Sequence, residues 1–197
     1  SVTDGKGNIY KCKIINTDKT SSTLSIINID KNDSNFPKLS IAISLTKKTN
    51  RFEWFLEKAT EIGIYEITPV ISEHTEKSNL NIDRSNKLLV SAMKQSLRSR
   101  LPILNIPTTF EDYVSEKKCK ENNFIATCKK NNYSFLEEKL IKGSPANVLI
   151  GPEGGFSNNE LNFAKKTNFM PISLGKYRYR TETAGISVCM IFSLINK

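Results

Sequence analysis

Three stretches of the chain hold residues whose types and spacing suit chemistry. The first is Val148-Leu149-Ile150-Gly151-Pro152-Glu153-Gly154-Gly155-Phe156. Its leading apolar residues read as the end of a buried strand. Pro152 has no N–H and stops the ladder. Gly154 and Gly155 let a ligand approach the main chain. Ser157-Asn158-Asn159-Glu160 has the form of a capping box that starts a helix, with Phe156 and Leu161 at the staple positions. In α/β proteins ligands bind beyond the carboxyl ends of strands, at junctions of this kind. Taken alone, the stretch reads equally as a well-made turn without a ligand.

The second stretch is Lys176-Tyr177-Arg178-Tyr179-Arg180-Thr181-Glu182-Thr183-Ala184. Alternating arginines and tyrosines suit phosphate pairing and base stacking. A surface strand of solvated charges has the same pattern. The run directly follows Ser173-Leu174-Gly175, a glycine strand end, and that position favours function. Thr181 is the expected N-cap of the next helix, and Glu182 suits the positive end of its dipole. The third stretch is Lys94-Gln95-Ser96-Leu97-Arg98-Ser99-Arg100. It could grip an RNA backbone or merely complement a helix C-terminus, and the two readings stand level.

The elements that must position these residues follow from pattern. Residues 9–16 and 23–29 read as a hairpin turning near Thr20-Ser21-Ser22, after turn chemistry at Asp4-Gly5-Lys6-Gly7-Asn8. So short a segment cannot bury a core, so residues 1–35 are expected to be the remnant of a small β domain. Asp30-Lys31-Asn32-Asp33-Ser34-Asn35 reads as its linker. Strands and helices then alternate. Strands are expected at Leu39–Leu45, Glu66–Ser72, Ile103–Ile106, Phe124–Cys128, Val148–Gly151 and Met170–Leu174. Helices are expected at Asn50–Ile62, Ile82–Arg98, Phe110–Lys117, Tyr133–Ile141 and Thr181–Ile195. Phe52, Phe55, Leu56, Ala59 and Ile62 share one helical face, which Gly63 ends, and Phe55 rather than Trp54 belongs in the core. In the second helix Leu88, Leu89, Ala92 and Met93 are apolar. This grammar implies a mostly parallel sheet with helices on both faces. If their strands are neighbours, the ends at Thr127-Cys128-Lys129, Gly151 to Gly155 and Ser173 to Gly175 converge on one crevice.

Composition narrows the classes. A net charge of +9 over 197 residues favours an acidic partner, most often nucleic acid, although scattered lysines also simply solubilise a surface. No apolar run reaches bilayer-spanning length. Cys12, Cys119, Cys128 and Cys189 form no C-x-x-C pair and His74 is the single histidine, so no metal site is expected. His74 reads as an ordinary loop residue. Free thiols fit a reducing cytoplasm. No signal peptide opens the chain, and a start at Ser1 without Met leads us to expect that the true N-terminus lies upstream. There is no Walker motif and no G-x-G-x-x-G, which favours a small ligand held by backbone groups over a nucleoside triphosphate.

Leu149-Ile150-Gly151-Pro152-Glu153-Gly154-Gly155-Phe156-Ser157, Ser173-Leu174-Gly175 and Arg180-Thr181-Glu182-Thr183-Ala184 together resemble the signature of the RsmE-type enzymes. These are SPOUT-class, S-adenosylmethionine-dependent methyltransferases that modify N3 of a uridine in small-subunit (16S) ribosomal RNA. Glu57-Lys58-Ala59-Thr60-Glu61-Ile62-Gly63, Ile67-Thr68-Pro69 and Gln95-Ser96-Leu97-Arg98 support the resemblance, and Asp4-Gly5-Lys6-Gly7 resembles the family's N-terminal domain. The match spans nearly the whole chain. It implies an α/β fold with a C-terminal trefoil knot over residues 36–197, preceded by part of a PUA- or OB-like barrel at 1–35. It further implies a homodimer that acts on 16S ribosomal RNA; composition and cysteine spacing add the expectation of a cytoplasmic setting with no membrane or metal partner.

Carried over residue by residue, the resemblance implies cofactor contacts from Thr127, Cys128, Gly151, Pro152, Glu153, Gly154, Gly155, Ser173, Leu174, Gly175, Tyr179, Thr181, Thr183 and Ala184. Arg180 would stabilise the charge that develops on the base. Glu182 and Glu153 are weaker candidates for proton removal, and each reads equally as structural. RNA contacts would come from Lys94, Gln95, Arg98, Arg100, Arg178 and Arg180. One departure stands out: the family reads Ile-Leu between its two arginines, whereas a single Tyr179 separates Arg178 from Arg180. The rival readings are a non-catalytic RNA-binding or ribosome-assembly protein, and a SPOUT enzyme for another RNA.

Overall fold

The computed structural model describes residues 1–31, 36–116, 122–128 and 133–197. The linker at 32–35, Lys117, Cys119 and Lys129 fall outside them. Strands β1 (Val2–Thr3), β2 (Asn8–Thr17) and β3 (Ser22–Lys31) form an antiparallel sheet in that order. The long pair is the expected hairpin, and Asp18 N–H donates to the Ser21 carbonyl at 2.8 Å in its turn. Asp4 organises the approach to β2. Its carboxylate accepts from Asn8 Nδ2 and from Lys6 N–H, each at 2.7 Å, and from the Tyr10 hydroxyl at 3.1 Å.

The main unit runs through β4 (Leu39–Ser44), α1 (Thr49–Ile62), β5 (Glu66–Ile71), α2 (Ile82–Gln95), β6 (Ile103–Leu104) and β7 (Thr108–Thr109). It continues through α3 (Phe110–Glu116), β8 (Asn123–Ala126), α4 (Leu136–Lys139) and β9 (Ala146–Ile150). It ends with α5 (Asn158–Lys166), β10 (Met170–Ile172) and α6 (Thr181–Ile195). The strands lie in the order β10-β8-β9-β4-β5-β6, with β7 also on β5, and each of these pairings is parallel.

Alternation along the strands builds two cores, one on each face, as a doubly covered parallel sheet requires. Ile41, Ile43, Ile67, Phe124, Val148 and Ile150 pack with Phe52, Phe55, Leu56, Val188 and Phe192 of α1 and α6. Ala42, Val70, Ile125 and Leu149 join the second cluster, with Phe110, Tyr113, Leu161 and Ala164 of α3 and α5. Trp54 stays exposed while its neighbour Phe55 is fully buried. The N-terminal sheet meets this unit by main-chain bonds, Gly7 N–H to Ser99 O at 3.0 Å and Leu101 N–H to Gly5 O at 2.8 Å.

Several elements differ from expectation for identifiable reasons. Helix α2 stops at Gln95 instead of Arg98, because Leu97 takes φ 55° and the chain turns back. Arg98 then donates from Nε to the Glu61 carbonyl at 2.9 Å, and from a terminal nitrogen to the Ile62 carbonyl. It therefore caps the C-terminus of α1. Gly63 does end α1, at φ 109°, and a Cβ there would lie 2.6 Å from the Arg98 guanidinium carbon. The helix expected over 133–141 shrinks to α4. Ser134 and Phe135 pair instead with Ser173, whose N–H donates to Ser134 O at 3.0 Å and whose carbonyl accepts from Leu136 N–H at 3.1 Å. Strands β6, β8, β9 and β10 each stop one or two residues early, at Leu104, Ala126, Ile150 and Ile172. β7 has no counterpart in the sequence reading. Arg180, with φ −69° and ψ 156°, holds the N-cap position of α6, and Thr181 is its first helical residue.

Gly185 sets how closely α6 approaches its neighbours. A Cβ there would stand 2.5 Å from Phe55 Cε2 and 3.2 Å from Ile43 Cδ1. Gly185→Ala should lower unfolding stability by about 1–3 kcal/mol through overpacking, read from the urea midpoint. An unchanged midpoint would refute this close approach. A second expectation concerns acid. Hydrogen bonds, first from the Asn8 side chain and then from Lys6 N–H, lower the Asp4 pKa from 3.8 to about 2. The turn's stabilisation is therefore complete above the ordinary value and is lost as pH falls through the depressed one. Amide shifts of Lys6 and Asn8 should titrate with a midpoint of about 2, whereas 3.8 would show an unbound carboxylate.

Candidate active site

A cleft of about 540 Å³ opens at the carboxyl ends of β8, β9 and β10. Small-molecule sites typically occupy roughly 300–1,000 Å³. Strand β8 lies between β10 and β9, so the three strand ends meet as the sequence suggests. Thr127 and Cys128 follow β8, Gly151 to Phe156 follow β9, and Ser173 to Tyr179 follow β10 along the wall. Thr181 and Ala184 of α6 complete it.

The glycine turn is held from several sides. Gly155, at φ 73°, donates its N–H to the Pro152 carbonyl at 2.8 Å. The capping box is present: Ser157 Oγ accepts from Glu160 N–H at 3.2 Å, and Glu160 Oε2 accepts from Ser157 N–H at 2.8 Å. Phe156 and Leu161, the staple residues, are buried in one cluster. Three side chains each take one carbonyl of the turn. Thr181 Oγ1 donates to Gly151 O at 3.0 Å, Arg178 donates to Glu153 O, and His74 Nδ1 lies 2.9 Å from Gly155 O. Among the described residues, no protein group accepts from the N–H of Glu153, Gly154 or Phe156. Those donors are available to a ligand.

The structure brings most of the sequence-derived site residues together. All of the expected cofactor contacts line the cleft except Thr183, which is exposed on α6. Tyr179 lays its hydroxyl over Gly175, 3.0 Å from where a Cβ would stand. Arg178 is exposed, but its guanidinium is engaged by the turn. Arg180 is exposed, between the two cleft-lining residues Tyr179 and Thr181.

Other residues lie elsewhere. Glu182 does not line the cleft; its side chain is 8% exposed and faces α1, with Oε1 3.7 Å from Arg51 Nε. Its Oε2 is buried without a hydrogen-bond donor. This carboxylate ties α6 to α1 and is out of reach of a base in the cleft. Glu153 is exposed at the cleft wall. Lys94 and Gln95 are exposed in the last turn of α2, whereas Arg98 caps α1 and Arg100 bridges to Lys6 through the backbone. Helix α2 returns the chain from the carboxyl end of β5 to the amino end of β6. This basic group therefore sits at the opposite end of the sheet from the cleft of its own chain.

Sequence reasoning passed over His74 and Arg51, whose partners are 81 and 131 positions away. No local periodicity carries such a signal. Cys128 is an exposed thiol at the cleft, whereas burial pushes the Cys189 thiol well above its ordinary range.

Residues 32–193 match the family model of the RNA methyltransferase domain. The ribosomal RNA small subunit methyltransferase E of Mesomycoplasma hyopneumoniae is 33% identical over 162 residues, which cover 78% of this chain and 69% of that protein. The protein of the same name from Aquifex aeolicus is 29% identical, over 94% of this chain and 81% of its own. The structure of a probable rRNA-methyltransferase from Porphyromonas gingivalis superposes with a TM-score of 0.91 at 32% identity, covering 98% of this chain and 83% of that one. A ribosomal RNA small subunit methyltransferase E from Neisseria gonorrhoeae, bound to S-adenosyl methionine, gives 0.87 at 25% identity over 98% and 81% of the two chains. The matched residues take in the whole parallel sheet and every loop of the cleft, so this chain belongs to the RNA methyltransferase domain family, in the group of the ribosomal RNA small subunit methyltransferases E.

Proposed function

We propose that this chain transfers the methyl group of S-adenosylmethionine to N3 of a uridine in the 16S RNA of the small ribosomal subunit. The observation that carries this reading is the glycine turn at the cleft, with three of its carbonyls held by side chains and the N–H groups of Glu153, Gly154 and Phe156 left for a ligand. The residues fit the cofactor. Backbone groups of Gly151, Gly154 and Leu174 would hold its adenosine part. Gly155 and Gly175, whose own backbone groups are bonded within the protein, would shape the turns around it, and Thr127 and Cys128 would form the wall. When bound, the cofactor supplies an electrophilic methyl group.

The chain's own residues must then position the base and manage one proton. N3 of uridine carries a hydrogen that it must lose before it can attack. Arg180 stands exposed at the rim, where its charge stabilises the resulting anion. Glu153 is the carboxylate at the cleft wall and accepts the proton. Glu182 has the structural role. Tyr177, 74% exposed at the same cleft, and Tyr179 offer ring faces to an unstacked base.

The finer architecture belongs to the same reading. The segment from Ser173 to α6 runs past Ser134 and over the glycine turn, and this course supports a trefoil knot. Exposed Trp54, Met190 and Leu194 on α1 and α6 support a homodimer. Exposed Ile14, Ile15, Ile26, Ile27 and Ile29 on the N-terminal sheet support a partial barrel at 1–35 that helps hold RNA, separate from a catalytic unit at 36–197. Lys94 and Gln95 would add phosphate contacts, in a cytoplasmic setting.

Calorimetric titration with S-adenosylmethionine and S-adenosylhomocysteine should show binding. Gly154→Arg should abolish it, because a Cβ at 154 would stand 3.0 Å from the Cβ of His74 behind the turn and push the turn out of place. No heat from the folded wild-type chain would instead favour a non-catalytic RNA-binding protein. Arg180→Ala should cut methyl transfer to ribosomal RNA by roughly a hundredfold or more, in the range for losing one charge-stabilising group. Its cofactor affinity should hold. A full transfer rate would remove Arg180 from the chemistry.

A further inference from the structure

We propose that His74 is a positioning residue for the cofactor turn, acting through a hydrogen bond from Nδ1–H to the Gly155 carbonyl. The inference rests on the cofactor reading above. Of the three side chains that hold the turn's carbonyls, Arg178 and Thr181 come from the C-terminal segment that itself lines the cleft. His74 comes from the loop after β5 and does not line it. It acts from the far side of the turn.

Peptide geometry turns this into an effect on the ligand. A trans peptide is planar, with its C=O and the following N–H pointing in opposite directions. Holding the Gly155 carbonyl outward, 2.9 Å from Nδ1, turns the Phe156 N–H the other way. Phe156 lines the cleft, and its N–H has no acceptor among the described residues. Gly155, at φ 73°, has no side chain to fix its peptide plane, so the partners of its backbone groups set it. The carbonyl only accepts, so Nδ1 carries the hydrogen in this bond.

The imidazole is itself held in place. Glu73 N–H donates to Glu160 Oε1 at 2.8 Å, which pins the loop to the start of α5. Ser72 N–H donates to Thr75 Oγ1 at 2.9 Å, and Thr75 N–H to Ser72 O at the same length, closing a tight turn around His74. Gly154 packs against the His74 Cβ. The loop after β5 thus sets the orientation of a cofactor donor it never touches.

Asn and Gln variants separate the bond from the ring. Asn places its amide nitrogen where Nδ1 stands; Gln places it nearer Nε2. In calorimetric titration with S-adenosylhomocysteine, His74→Ala should weaken binding roughly two- to tenfold, the range of one net hydrogen bond. His74→Asn should bind like wild type, and His74→Gln should follow Ala. Equal loss in all three variants, or no loss in Ala, overturns the proposal. Should the Ala variant not fold, the Asn–Gln difference decides alone. The ¹⁵N–¹H shift of Phe156 in the ligand-free protein reads the same clamp without cofactor. It should move in Ala and Gln and stay in Asn, and a shift unmoved in all three overturns the proposal. Absence of binding by wild type would count against the methyltransferase reading, while the shift still judges His74.

Discussion

One hydrogen bond joins the last helix to the middle of the sheet: Thr181 Oγ1 to the carbonyl of Gly151. Gly151 is the residue at which β9 gives way to the glycine turn, and β9 lies between β8 and β4. Thr181 is the residue at which α6 begins. Because α6 is packed on α1 and the sheet through Val188, Phe192 and the bare Cα of Gly185, its start has little freedom. The rigidity of the core is thereby delivered to the one loop where backbone atoms must be aimed. The ion pair of Glu182 with Arg51 works in the same direction, fixing the first turn of α6 against α1.

The site inherits its shape from the sheet order. Parallel strands place all their carboxyl ends on one edge, and the neighbourhood of β10, β8 and β9 brings three loops together without any long excursion. The pairing of Ser173 with Ser134 and Phe135 adds a further restraint. It extends the β10 edge beyond Ile172 and fixes where the segment Gly175 to Arg180 crosses the turn.

Much of this was legible in the sequence where the signal is local. The face of α1, the glycine that ends it, the capping box at Ser157 and the full extent of α6 all follow from spacing and residue type. The parallel sheet follows from the alternation of elements. What was not legible depends on distant partners. Arg98 looks like part of a basic patch, yet the end of α1, 36 residues away, claims its guanidinium. The stretch at 133–141 has helical composition, but backbone pairing with Ser173 takes its first turn. Glu182 looks catalytic beside Arg180 because neighbours in sequence look like neighbours in space. At a helix start they diverge: Arg180 faces outward, and Glu182 is buried toward α1.

The N-terminal sheet rests on residues 99 to 101 through peptide groups and the Thr3 hydroxyl of β1, which donates to the Ser99 carbonyl at 2.9 Å. None of these bonds uses a side chain of β2 or β3. The exposed residues of β2 and β3 can therefore be exchanged freely without disturbing the seat of the sheet. Such an attachment separates orientation from selectivity. A lineage can redraw that surface while the geometry relating it to the rest of the molecule is inherited intact.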